Sequence, residues 1–370
     1  MKNIIPIIRP TLIDYESVED EFREVWNSGQ VTVSKYTELF EQSVCKTLAV
    51  RNAIAVSSCT SGLMLAVKAL DLKGEVIVPS LTFTATAHSI MWNNIAPVFC
   101  DSNKGTYTID TKKIGPLITK KTSAIMPVYI FGLPPEINKL ERLASKHNLK
   151  LIFDSAQGLG ARYKGRLAGG FGDAEVFSMS PTKVVTSIEG GLVTTNNDEL
   201  AGKIRQMRDY GKSIDGEDID YIGLSSRVSE FHSIIGLKNF KKMAQLIKKR
   251  NELITYYKKC LDGLKGISFQ KIPPCCKSTG NYMVIFIDGE KAKTTRDEIH
   301  QYLKEKGIQT KKYFYPPLHM QKAYTIYRRK YQGRLQVAEK ASREGLALPL
   351  FSHMSKKIIF NICNELKKIL

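Results

Sequence analysis

From about residue 50 to 195 the chain alternates short apolar runs with longer amphipathic stretches. That change of period marks strands joined by crossover helices in an α/β sheet. AIAVSS (53–58), EVIVPS (75–80), APVFCD (96–101), SAIMPVYI (123–130), LKLIFDS (149–155), AEVFSMS (174–180) and GLVTT (191–195) read as seven strands. Between them TSGLMLAVKAL (60–70) opens on Thr60 and Ser61, both able to cap a helix, and PPEINKLERLASKH (134–147) opens on proline, which a first helical turn accepts. Near residue 228 the texture becomes a long helical pattern, VSEFHSIIGLKNFKKMAQLIKKRNELITYYKKCL, long enough to link two lobes. Beyond it NYMVIFID (281–288) predicts a strand, TTRDEIHQYLKEKG (294–307) a helix ending at Gly307, and IQTKKYFYPPL (308–318) a strand entering a proline turn. The expected organisation is a large α/β unit over 1–245 and a smaller α+β unit over 246–370, with the N-terminal segment able to pack on the smaller one.

Length supports two lobes, because 370 residues exceed what one hydrophobic core usually organises. Apolar residues at 43% and charged residues at 25% fit a soluble globular enzyme. No run approaches the roughly 18 apolar residues of a membrane span. The start, MKNIIPIIRPTLIDYE, has a short apolar stretch broken by Pro6 and no small-residue cleavage site, so a cytoplasmic protein without membrane insertion is expected. Seven cysteines are scattered without a CxxC pair or a histidine at ligand spacing, so reduced thiols and no metal are expected. The adjacent Cys275 and Cys276 follow two prolines and read as loop packing.

Charge widens the choice of ligand. The formal +19, from 55 Lys and Arg against 36 Asp and Glu, suits nucleic acid, a membrane surface or anionic small molecules. Its densest pieces, KNFKKMAQLIKKR (238–250) and YRRKYQGR (327–334), read as solvated faces. A nucleic-acid binder would use that charge in a salt-sensitive way and would need no reactive lysine.

Ligands of open α/β sheets collect beyond the carboxyl ends of the strands. SSCTSG (57–62) places hydroxyls and free N–H groups at a helix start, a phosphate site or simply a cap. Asp154 follows four apolar residues at the tip of a central strand, where a buried carboxylate needs a cation or donors; by itself it serves equally as a helix cap. In VFSMSPTKVVTSIEGG (176–191) Lys183 follows a Ser- and Pro-containing turn and precedes Gly190 and Gly191. A lysine amine there, in a semi-enclosed cationic site, can condense with a carbonyl cofactor. Phe83 in PSLTFTATAHSI (79–90) could cover a flat heterocycle, although an aromatic at that spacing is commonly core, and His88 reads as a packed histidine.

In order along the chain, SGQVTVSKYTELFE, SSCTSG, VIVPSLTFTATA, APVFCD, IMPVYIFGLPPE, FDSAQGLGA, FSMSPTKVVTSIEGG, IGLSSRVSEFHSIIGL, YPPLHMQKAY and LALPLF resemble the DegT/DnrJ/StrS family of sugar aminotransferases. The resemblance implies the fold-type-I architecture, with a mostly parallel seven-stranded sheet. It implies pyridoxal 5'-phosphate, carried as pyridoxamine 5'-phosphate between half-reactions. Lys183 would be the Schiff-base lysine, Asp154 the partner of the pyridine nitrogen, Gln157 a neighbour of the ring hydroxyl and Phe83 the stacking ring. Thr60, Ser178 and the amides of Cys59 and Thr60 would hold the phosphate. Ser225 and Arg227 would lie on a loop sent into a neighbouring subunit, which implies a homodimer. Tyr129, Arg227, Tyr313 and His319 are the implied substrate contacts.

Three positions depart from the family pattern: Cys59 replaces glycine, Ser225 replaces asparagine, and Tyr129 stands where many relatives have histidine. Lys183 itself argues against the branch of relatives that carries histidine and dehydrates its sugar. The implied reaction passes an amino group from L-glutamate to a dTDP- or UDP-linked 4-keto-6-deoxyhexose for lipopolysaccharide, O-antigen or glycan synthesis. Another pyridoxal enzyme, a dehydratase or an amino-acid aminotransferase, would bind the cofactor and fail with nucleotide sugars.

Overall fold

All seven apolar runs lie in one sheet of the computed structural model, which describes residues 4–370. In chain order the strands are β1 (Asn52–Val56), β2 (Glu75–Pro79), β3 (Ala96–Cys100), β4 (Thr122–Ile125), β5 (Lys150–Asp154), a short hairpin of β6 (Arg162–Tyr163) and β7 (Arg166–Leu167), β8 (Ala174–Ser178) and β9 (Gly191–Thr195). Across the sheet the order is β1-β9-β8-β5-β4-β2-β3. β9 runs antiparallel to both its neighbours, and every other adjacent pair is parallel. Helices cover both faces, which is why these strands are nearly continuous apolar runs. The carboxyl ends of six strands and the start of β9 therefore share one edge.

The run 123–130 is strand only as far as Ile125. Pro127 has no N–H to give a ladder, and the chain leaves the sheet for a 3-10 turn at Ile130–Gly132. The long helical pattern is two helices, Glu230–Lys241 and Met243–Cys260, meeting at Lys242.

A second antiparallel sheet, in the order β10-β12-β13, is built from β10 (Ile267–Phe269), β12 (Met283–Ile287) and β13 (Gly345–Leu348), while β11 (Cys276–Lys277) joins the β6–β7 hairpin. Leu253, Tyr257, Ile285, Ile299, Leu303, Ile359 and Ile362 pack this sheet against its helices. The N-terminal segment runs beside it: Ile5 donates to the Gly307 carbonyl at 2.8 Å and accepts from the Gln309 amide at 3.0 Å. The strand expected over 308–318 is absent. Ile308 and Lys311 each make one isolated bridge, to Ile5 and Ala347, after which the chain turns so that the Tyr315 amide meets the Lys312 carbonyl at 2.9 Å. Pro316 and Pro317 keep it from re-entering a ladder.

Beneath the site, Glu175 on β8 is fully buried. Its carboxyl accepts from the Gly169 and Phe171 amides at 2.6 and 3.0 Å and from the Ser155 hydroxyl at 2.8 Å. Burial outweighs these donors and pushes the carboxyl up to about 7. An acid raised this way costs nothing below its unfolded value and destabilises increasingly as pH rises from about 4.5 to about 7, by roughly 3 kcal/mol at the plateau. Glu175→Gln mimics the protonated form, so denaturant unfolding should show the variant gaining stability over wild type between pH 5 and pH 8. A constant difference across that range would contradict this assignment.

Candidate active site

The first part of the site is the turn from β1 into the helix Cys59–Ala69. Ser58 is extended and caps this helix, accepting from the Ser61 amide at 3.1 Å, while the Ser61 hydroxyl accepts from the Ser58 amide at 3.2 Å. This reciprocal cap leaves the amides of Cys59 and Thr60 with no carbonyl four residues back, at the positive end of the helix dipole. Gly191, opening β9, lies so close that a β-carbon there would come within 2.6 Å of the Cys59 nitrogen. The Cys59 thiol faces the sheet, 3.8 Å from the Val176 carbonyl.

Asp154 ends β5 and is buried. It accepts from the Thr86 hydroxyl at 2.6 Å and the Ala156 amide at 3.1 Å. Burial pushes this carboxyl above its usual range, against the pull of those two donors and of the Lys183 charge. Gln157 follows, also buried, and its Oε1 has no hydrogen-bond partner among the described residues. Its main-chain carbonyl is tied to the Thr279 hydroxyl at 2.8 Å.

After β8 the hydroxyls of Ser178, Ser180 and Thr182 follow one another at 3.3 Å steps. The Lys183 amide closes a turn on the Ser180 carbonyl at 3.0 Å, and the half-buried Lys183 side chain ends 5.9 Å from the centre of the Tyr282 ring. Burial pushes the Tyr282 phenol up, but the Lys183 charge and the hydroxyls of Thr182 and Tyr313 together hold it below the usual phenol range. Burial beside Tyr282 raises the Tyr313 phenol.

These groups line one cavity of about 390 Å³, together with Phe83, Phe314 and Lys311. Phe83 is 57% exposed, its ring 6.3 Å from that of Phe314. Of the residues expected from sequence, Cys59, Thr60, Phe83, Asp154, Gln157, Ser178, Lys183 and Tyr313 come together here.

Four do not. Tyr129, past the end of β4, is buried away from the cavity, packed on Gly158 and 6.0 Å from the Phe153 ring, with its phenol toward Glu175. His319 is enclosed between the Ser80 hydroxyl at 2.6 Å and the Glu339 carboxyl at 3.3 Å, where it fastens the 314–320 segment to the end of β2. Both are set apart from the cavity, because their rings fill core. Arg227 pairs with Asp209 at 2.7 Å and lies over the Tyr210 ring, and Ser225 is exposed; neither lines the cavity of its own chain. His88 sits against Tyr324 and the Thr84 hydroxyl, as a packed histidine does. Sequence reasoning missed Thr86, Tyr282 and Lys311. Thr86 is one of several alternating threonines, and only the fold shows which reaches Asp154.

An enclosed carboxylate without a cation, a buried amide oxygen without a donor, a cradle of free amides and hydroxyls, and a lysine beside them match a phosphorylated pyridine aldehyde. The comparisons agree. The sequence profile of the DegT/DnrJ/EryC1/StrS aminotransferase family matches residues 13–367. The chain belongs to this family. It is 31% identical over 371 residues to a dTDP-4-amino-4,6-dideoxy-D-glucose transaminase of Shigella dysenteriae, covering 100% of both chains. It is 30% identical over 345 residues to a GDP-perosamine synthase of Caulobacter vibrioides, covering 92% of this chain and 91% of that one. The crystal structure of DesI in the presence of its TDP-sugar product superposes with a TM-score of 0.93 at 30% identity, over 100% of this chain and 93% of the other. This family member is a pyridoxal-phosphate-dependent nucleotide-sugar aminotransferase with the expected mostly parallel seven-stranded sheet.

Two substitutions probe the geometry. Asp154→Asn keeps partners for Thr86 and Ala156 but removes the negative charge, so kcat should fall by about a hundredfold or more with little change in Tm. Gly191→Ala should drive a methyl group into the helix start and weaken cofactor retention, read as loss of cofactor absorbance on dialysis while Asp154→Asn keeps its colour longer.

Proposed function

We propose that this enzyme transfers the amino group of L-glutamate to carbon 4 of a dTDP-linked 4-keto-6-deoxyhexose, giving an amino-dideoxy sugar for surface polysaccharide or glycan synthesis, and that it works as a cytoplasmic homodimer. The convergence of Lys183, Asp154 and the unpartnered Gln157 amide on one cavity carries the reading. The name of the Shigella dysenteriae relative, matched from end to end, supports the sugar. Among the described residues no helix is long and apolar enough to cross a membrane.

Asp154 would hold the pyridine nitrogen in its protonated form, which the carboxylate stabilises at close range in a dry site. Gln157 would meet the ring hydroxyl, and Phe83 would lie against the ring face. The Cys59 and Thr60 amides, with the Thr60 and Ser178 hydroxyls, would bind the phosphate. When bound, the cofactor supplies an electron sink and carries the nitrogen between the two substrates. Lys183 anchors the cofactor, and its freed amine moves a proton to and from the substrate carbon that bears the nitrogen. Tyr282 and Tyr313 wall off the lysine from water.

The homodimer rests on two observations. Tyr210, Ile214, Ile219 and Ile222, close together in one segment, are exposed, more apolar surface than one stretch of a monomer usually leaves in water. Ser225 and Arg227 stand beside this apolar segment and do not line the site cavity of their own chain.

The purified protein should absorb in the visible, lose that band irreversibly with borohydride, and show neither behaviour as Lys183→Ala. Incubated with L-glutamate and dTDP-4-keto-6-deoxyglucose it should yield 2-oxoglutarate and the amino sugar, seen by mass spectrometry. Amination of the GDP-linked keto sugar alone would overturn the dTDP assignment, and a monomer in light scattering would overturn the dimer.

A further inference from the structure

Among the described residues lining the cavity the only two cations are Lys183 and Lys311, and the proposed function commits Lys183 to the cofactor. Lys311 is exposed, on the segment that joins the smaller sheet to the site. Its backbone is fixed on both sides: its amide donates to the Ala347 carbonyl at 3.1 Å, and its carbonyl accepts from the Ala347 amide at 2.7 Å. Two residues on, Tyr313 and Phe314 form the aromatic wall opposite Phe83.

The neighbouring lysine has a different fate. The Lys312 ammonium pairs with Asp297 at 2.7 Å, an acid that also takes Arg296 at 2.5 Å. No described carboxylate stands within 4.0 Å of the Lys311 ammonium. One of two adjacent lysines is therefore neutralised, and the other is held at the cavity with its charge free.

Both proposed substrates are anions, and they enter the same cavity in turn. The amino donor brings a second carboxylate beyond the reacting carbon, and the sugar brings a diphosphate beyond its ring. Resting on the nucleotide-sugar reading above, we infer that Lys311 forms one anion subsite used alternately by the side-chain carboxylate of the amino donor and the diphosphate of the sugar nucleotide. A free ammonium suits this exchange, because it is a compact charge on a flexible stem that follows anions of different shape. An arginine fork fixed in a bidentate pair would favour one of them. The two half-reactions are consequently exclusive at this point of the cavity.

The test uses cofactor-loaded protein and two probes, thymidine diphosphate and 2-oxoglutarate, titrated by calorimetry into wild type, Lys311→Gln and Lys311→Arg. Wild type should bind both, each displacing the other. Lys311→Gln should weaken both by about tenfold, as loss of one charge-assisted hydrogen bond does, with an unchanged cofactor spectrum and Tm. Lys311→Arg should restore most of the affinity for at least one probe. Lys311→Gln binding both probes as tightly as wild type would overturn the subsite, as would weakening of one probe alone. Amination of the keto sugar by wild type is scored separately. If wild type aminates it and Lys311→Gln binds unchanged, only the subsite falls; if wild type binds no nucleotide and aminates no sugar, the function reading falls with it.

Discussion

The site depends on a carboxylate that the fold has buried before supplying a cation for it. Asp154 sits at the tip of β5, between β4 and β8, and holds only two neutral donors, Thr86 and Ala156. In that state burial dominates and the carboxyl is raised. A protonated ring nitrogen placed against it would reverse the balance, since an opposite charge in a dry site stabilises both ions. That burial would give a cationic ring nitrogen a thermodynamic reason to bind in one orientation.

Other features follow from keeping this tip dry yet open at one side. Thr86 reaches Asp154 from the helix Ala85–Met91, which begins just after Phe83, so the residue covering the cavity and the residue holding the carboxyl share one short segment. His319 ties that segment's root at Ser80 to the loop carrying Tyr313 and Phe314. The Phe314 ring stacks on Phe131 at 6.0 Å, and Phe131 meets Phe286 of the smaller sheet at 6.3 Å. The two sheets are thus joined through aromatic packing beside the cavity.

Much of this was legible in the sequence, for stated reasons. Buried parallel strands are short apolar runs, and all seven were found because helices cover both faces of the sheet. Asp154 was legible because it ends such a run, and Lys183 because it follows the Ser- and Pro-containing turn after one, whereas Gln157 came from the family resemblance. Tyr129 and His319 were expected at the substrate from the family resemblance, but both lie in 3-10 turns or at their edge, where the side-chain direction is not fixed by a strand period, and here both rings fill core. The strand expected over 308–318, running into a proline turn, is reduced to isolated bridges at Ile308 and Lys311 because the chain already turns between Lys312 and Tyr315, ahead of the prolines. Thr86, Tyr282 and Lys311 were missed because their roles arise from contacts between distant segments, which no local pattern encodes.

Charge distribution completes the picture. At the start of the helix Cys59–Ala69 the cavity is lined by Ser58, Cys59 and Thr60, and across it stand the hydroxyls of Ser178, Ser180 and Thr182. Neutral donors at a helix start bind a dianion without competing with Asp154 for the ring. The basic stretches at 238–250 and 327–334 are solvated faces only in part: Lys241, Lys242, Lys248 and Lys249, and Arg328, Arg329, Lys330 and Arg334, are exposed, whereas Arg250 is buried and donates to the Ser352 hydroxyl at 3.1 Å and the Asn281 carbonyl at 3.0 Å.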